Sequence, residues 1–141
     1  MAAAQGRPAE LKSTAADEIV RWVSPVMDFR RTVMSDTNLG GVELKKGDKV
    51  VMYYPSANRD ESVFENASTF DIGRDPNPHI GFGGGGPHFC LGRHLAKLEI
   101  ELMLESLARK VDTVELTGPV NRLRSNFING IKHMPVRVTA S

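Results

Sequence analysis

Three features of the sequence predict a mixed α+β fold. Leu91, Leu95, Leu98, Leu102, Met103 and Leu107 recur at helical spacing. Phe29–Val33 and Lys49–Tyr54 are rich in β-forming residues, and Asn129-Gly130 is a hairpin signal ahead of a last β-rich run, Val136–Thr139. With 141 residues the chain has length for one domain with a modest core and too little for two. Its 18 Lys+Arg against 17 Asp+Glu leave a net charge of +1. No overall field therefore favours nucleic acid or an anionic membrane. Hydrophobic residues at 40% and charged residues at 25% are ordinary globular values and argue against disorder. A single cysteine excludes an internal disulfide and any site that needs two thiolates. With no secretory pattern and no apolar run of membrane-spanning length, a soluble, cytoplasmic chain is expected.

The elements follow in order. Residues 1–11 are an irregular, small-residue segment, and 12–141 form the folded part. Ser13 or Thr14 caps a first helix over Thr14–Val23, with Asp17 and Glu18 in its first turn and Ile19, Val20, Trp22 and Val23 as its apolar face. Ser24-Pro25 ends it, because the residue before proline avoids the helical region. Phe29–Val33, a short Val42–Leu44 strand and Lys49–Tyr54 read as an antiparallel meander, with Gly40-Gly41 and Lys46-Gly47 as turns. Ser56–Glu65 is polar, with one helical turn. Asp71–His88, with three prolines and six glycines, is a long structured loop of the kind that carries function. A long helix over Cys90–Lys110 follows, then Val111–Leu116, a hairpin about Asn129-Gly130 and the final strand.

The informative stretch is Phe82-Gly83-Gly84-Gly85-Gly86-Pro87-His88-Phe89-Cys90-Leu91-Gly92. It places a lone thiol at the start of a strong helix, behind a backbone that can approach a ligand closely. Helix N-terminal amides favour an anion there, and a thiolate so placed serves as nucleophile or metal ligand. The alternative is plain packing, since free cysteine is among the most buried residue types. Gly81-x-Gly83-x-x-Gly86 matches a dinucleotide fingerprint formally, but it follows Asn77-Pro78-His79 rather than a strand. A phosphate loop needs Gly-Lys-Ser/Thr, and Gly86 is followed by Pro87-His88. His88, Cys90 and His94 make a weak zinc pattern, crowded at one helix start.

This stretch resembles the haem-binding loop of the cytochrome P-450 superfamily, the haem-thiolate monooxygenases. Glu18-Ile19-Val20-Arg21 resembles that superfamily's Glu-x-x-Arg helix, and Phe70-Asp71-Ile72-Gly73-Arg74 with Asn77-Pro78-His79 resembles the stretch before the cysteine loop in bacterial members. All three occur in the family's order, and the likeness runs from Lys12 to the last strand. The family signature has Phe seven residues before Cys and Arg two before it; here Phe82 is eight before, and His88 takes the Arg place. The longer loop, with Arg122-Leu123-Arg124-Ser125 and Asn129-Gly130-Ile131-Lys132, is similar to that of bacterial, actinobacterial-type hydroxylases of sterol side chains and methyl-branched lipids.

The resemblance implies the C-terminal, proximal portion of the P-450 fold, mainly helical with small antiparallel sheets and incomplete as an autonomous fold. It implies haem b as cofactor, with Cys90 as the axial thiolate on iron, a ligand whose electron donation favours O–O cleavage. Arg31, His79 and His88 match positions that hold the haem propionates, which call for cationic or N–H donors. Phe82 matches the aromatic residue beside the ligating sulfur, and Gly83 and Gly92 belong to the same loop. Glu18, Arg21 and Arg74 match a buried charge triad that locks the first helix onto the loop, with Glu18 and Arg21 sharing a helix face.

The resemblance covers only about the C-terminal third of family members. The distal helix with its acid-alcohol pair, and the substrate pocket, have no counterpart in this sequence; Glu43 is followed by Leu44 in a strand. With one porphyrin face of roughly 200 to 300 Å² left wet, about 5 to 8 kcal/mol of burial is forfeited. Three expectations follow. The chain is the proximal part of a monooxygenase that inserts one oxygen atom of O2 into a C–H bond of a hydrophobic small molecule. In that case it takes electrons from a ferredoxin-type partner and uses a separate distal-half chain. Otherwise it is a free-standing haem-thiolate binding module, or a non-functional truncated remnant.

Overall fold

The computed structural model describes residues 12–141. Three helices, α1 (Lys12–Val23), α2 (Tyr54–Ala57) and α3 (Arg93–Lys110), combine with eight short strands. These are β1 (Asp28–Thr32), β2 (Thr37–Leu39), β3 (Val42–Leu44), β4 (Lys49–Tyr53), β5 (Val111–Leu116), β6 (Asn121–Arg122), β7 (Ile131–His133) and β8 (Val136–Ala140). The mixed α+β expectation stands.

The predicted meander is two nested hairpins. β1 pairs with β4, from Asp28 opposite Tyr53 to Thr32 opposite Lys49. Between them, β2 and β3 pair only with each other. The cause is Gly40-Gly41: both have positive φ, +57° and +86°, which gives the tight primed turn and closes a small hairpin of its own. At the other end β5 pairs with β8, and β6 with β7. Asn129-Gly130 is not a two-residue hairpin turn. Arg122 lies opposite Ile131, so the pair ends a longer loop. Asn129 is committed to tertiary contacts: its side chain donates to the Val23 carbonyl at 2.6 Å and its amide to the Pro25 carbonyl at 2.9 Å.

Helix α1 carries the core. Ala15, Ala16 and Val20 are buried on one face, joined by Tyr54, Phe64 and Ala67 from the segment that wraps it. Ser13 and Thr14 lie inside the helix, whose described span begins at Lys12. The helix ends at Val23 as expected; Ser24 takes a positive φ of +43° and bonds its hydroxyl to the Arg21 carbonyl at 2.9 Å. Helix α3 packs on α1 but has no buried residue of its own among its 18. It begins at Arg93 rather than Cys90, since Cys90–Gly92 form a turn leading into it. Among the described residues, no helix is long and apolar enough to cross a membrane.

Candidate functional site

The site rests on a polar cluster within α1. Glu18 and Arg21, three apart, share a face and are fully buried. Arg21 grips Glu18 with two hydrogen bonds, Nε to Oε2 at 2.7 Å and Nη2 to Oε1 at 2.8 Å. Its remaining hydrogens reach the carbonyls of Asn58, Ala67 and Thr69 at 2.6, 2.9 and 3.0 Å. Glu18 also accepts from the Asp71 amide at 2.8 Å, Arg74 Nε at 3.2 Å and Asn77 Nδ2 at 3.1 Å. Arg74 in turn donates to the carbonyls of Glu65, Asn66 and Thr69. The three predicted residues are thus brought together. They tie two stretches of irregular backbone, Asn58–Thr69 and Asp71–Asn77, to one helix. Burial alone would raise the Glu18 carboxyl. The Arg21 hydrogen bonds, the Asp71 amide and the charges of Arg21 and Arg74 outweigh it and hold the group below the ordinary carboxylate range.

Asn58, Asn77, Asp17 and Lys97 are members that sequence reasoning missed. Asn58 is fully buried; it donates to Ser24 Oγ and accepts the Ile80 amide through Oδ1, at 2.9 and 2.8 Å. Its neighbours in sequence are polar, which conceals a buried asparagine; Asn77 reads only as part of the Asn77-Pro78-His79 stretch, without a partner for its side chain.

From this anchor the chain runs through Ile80–Phe82 into the glycine loop. The Phe82 carbonyl accepts the Cys90 amide at 3.0 Å, which closes the loop and fixes the thiol's backbone. Gly83, Gly85 and Gly86 have positive φ of +97°, +96° and +78°, conformations that side-chain-bearing residues avoid. Nothing lies within 4 Å of the place where a Cβ would stand on Gly84, Gly85, Gly86 or Gly92, so this side is open to a flat group. Cys90 is a free, half-buried thiol. Among the described residues no three His, Cys, Asp or Glu side chains converge on a metal position. The His88, Cys90, His94 zinc pattern therefore has no support.

A cavity of about 320 Å³ lies beside the loop, lined by Arg31, Met52, Tyr54, Ile80, Gly83, Gly84, Gly85, Pro87 and His88. Arg31, on β1, and His88, two residues before Cys90, come from distant parts of the sequence to one rim. Both are exposed. Arg31 lies with its guanidinium 5.7 Å from the Phe29 ring centre, and Phe29 in turn packs against Tyr54 and Phe127. The rim thus offers a guanidinium and an imidazole, groups that can donate hydrogen bonds to an anionic ligand.

His79 does not join Arg31 and His88. It lines a different cavity, with Asp17, Phe82, Phe89 and Lys97. Nδ1 accepts the Gly81 amide at 3.1 Å, and Nε2 faces Asp17 Oδ1 at 3.4 Å. Both ring nitrogens therefore face protein groups. Burial pushes the imidazole below the ordinary histidine range, against the pull of Asp17. Phe82 packs its ring against His79, centres 5.7 Å apart, and meets Cys90 through its backbone.

The family model described as cytochrome P450 matches residues 12–134. The chain is 54% identical over 127 residues to a steroid C26-monooxygenase of Rhodococcus jostii, covering 90% of this chain and 27% of that protein. It is 53% identical over 126 residues to a methyl-branched lipid omega-hydroxylase of Mycobacterium bovis, covering 89% and 29%. Among solved structures, Mycobacterium marinum cytochrome P450 CYP268A2 in complex with pseudoionone superposes with a TM-score of 0.90 at 41% identity, over 94% of this chain and 32% of that one. The chain thus spans roughly three tenths of the length of the curated relatives it matches.

Proposed function

The chain belongs to the cytochrome P450 family, and from that premise we propose that it is the haem-thiolate portion of a monooxygenase acting on a hydrophobic molecule with a terminal branched chain, a sterol side chain or a methyl-branched lipid. One observation carries the reading: the Cys90 amide is bonded back to Phe82 in an open glycine loop whose flanking cavity is lined by both Arg31 and His88. In this reading Cys90 would hold the iron through its thiolate, and Arg31 and His88 would bind the propionates. Gly84 and Gly85 would let the ligand approach the backbone, since nothing stands within 4 Å of where their Cβ atoms would be. When bound, the haem activates O2 so that one oxygen atom enters a substrate C–H bond. The protein's part is to hold the thiolate in place and neutralise the propionates; electrons come from a ferredoxin-type donor.

The substrate side of the reading rests on the two relatives named for steroid and methyl-branched lipid oxidation. The distal wall is supplied by a further polypeptide, in the same chain or a separate one. One fact supports this. Leu91, Leu95, Leu98, Leu102 and Met103 stand 97%, 62%, 50%, 56% and 61% exposed along and just before α3. A free-standing haem-binding module would carry that apolar surface uncovered, against the usual limits for a monomer.

The test combines the chain with haem and a polypeptide equivalent to the preceding part of the Rhodococcus relative. Reduction by a ferredoxin system is followed by offering a sterol with an intact side chain and a methyl-branched fatty acid. Terminal hydroxylation of either, dependent on both polypeptides, is the expected result. Haem binding without product in any combination would contradict the monooxygenase assignment.

A further inference from the structure

We propose that Asp17, His79 and Gly81 form a positioning relay for the cysteine loop, in which Asp17 holds His79 in the one tautomer that can accept the Gly81 amide. The inference rests on the haem-thiolate reading only for its consequence at Cys90. A backbone N–H can only donate, so the 3.1 Å contact from Gly81 makes His79 Nδ1 the acceptor. The ring proton is then on Nε2, and the atom it faces is Asp17 Oδ1 at 3.4 Å. A carboxylate there favours that proton position, as second-layer carboxylates do for functional histidines. Asp17 is held by Lys97, whose Nζ donates to Oδ2 at 2.8 Å, so α3 is tied to the same group.

Gly81 has no freedom to find another partner. A Cβ on it would lie 2.5 Å from Val20 Cγ1 and 3.3 Å from the Val20 carbonyl, so its backbone is pressed onto α1. The preceding amide, Ile80, is taken by the Asn58 side chain, and the next residue, Phe82, receives the Cys90 amide. Side chains thus accept two consecutive amides on the way into the loop. Losing the acceptor at Gly81 would loosen the step adjoining the Phe82–Cys90 bond.

Asp17→Asn is the discriminating variant. Lys97 keeps the amide oxygen, so the new NH2 faces Nε2 and drives the ring proton to Nδ1, opposing donor to donor at Gly81. Three readouts on the full chain decide the matter: the ring nitrogen shifts of His79, hydrogen exchange of the Gly81 amide and, after haem loading, the thiolate-type share of the carbon monoxide Soret band. The expected result is a proton on Nδ1, exchange at Gly81 faster by about tenfold, the weight of one hydrogen bond, and a reduced thiolate share. Lys97→Met should leave the tautomer unchanged. If Asp17→Asn does not fold, His79→Asn and His79→Leu replace it. Asparagine can offer an oxygen near the Nδ1 position and should keep Gly81 protection within about twofold, whereas leucine should lose it. Unchanged tautomer and exchange in Asp17→Asn, equal loss in His79→Asn and His79→Leu, or faster exchange with an unaltered thiolate share would each overturn the relay. A wild-type chain lacking any thiolate band would instead contradict the haem assignment, and the tautomer and exchange results would still judge the relay.

Discussion

The two long helices are built in opposite ways. On α1, Glu18 and Arg21 are completely buried and Ser24 and Asn58 beside them equally so, yet their polar groups are bonded. On α3, leucines are exposed and no residue is buried. Charges inside and hydrocarbon outside invert the usual order. The difference teaches that α1 is a finished interior, closed by backbone carbonyls that follow it in sequence. The apolar stripe of α3 is covered by nothing among the described residues.

The strongest way to break this contrast is on α1. Arg21→Ala leaves the Glu18 carboxylate and three backbone carbonyls without their main donor and should cost about 3 to 5 kcal/mol. Chemical denaturation, or the loss of soluble protein, measures it. A soluble variant of unchanged stability would refute the locking role. Arg74→Ala comes next. Arg74 is 9% exposed and its carbonyl partners lie nearer water, so a loss of about 1.5 to 3 kcal/mol is expected by the same measurement.

Acid gives a graded version. The folded Glu18 carboxyl is held below its ordinary value, so the stability it contributes is complete above the unfolded carboxylate range. It is lost as pH falls from that range through the lower folded value. Denaturation midpoints followed into acid should therefore fall in the wild type, with a shallower slope in Glu18→Gln, already weaker at neutral pH. Equal slopes would remove Glu18 from the account. The smallest effect is expected on α3. Leu102→Lys in the isolated chain removes little buried surface and should cost under about 0.5 kcal/mol, while self-association, read by light scattering, decreases. A loss above about 2 kcal/mol would mean that Leu102 is already packed.

The sequence exposed α1's core pair and the cysteine loop because their signals are local: a three-residue spacing, a run of glycines, a cysteine before a helix. Arg31 and His88 are singled out only through family likeness, and the structure places both at the rim of one cavity. The parts the sequence concealed depend on long-range contacts. Asn129 lost its turn role because its side chain binds the end of α1, and His79 faces Asp17, 62 positions distant, in a cavity apart from Arg31 and His88. The strands β2 and β6 are three and two residues long, too short for a periodic pattern, and only pairing defines them.

The central claim is that the thiol of residue 90 binds haem iron. Purified chain loaded with haem, reduced and exposed to carbon monoxide should give a thiolate-type Soret band that Cys90→Ser abolishes. A spectrum unaffected by that substitution, or no thiolate band at all, would contradict it.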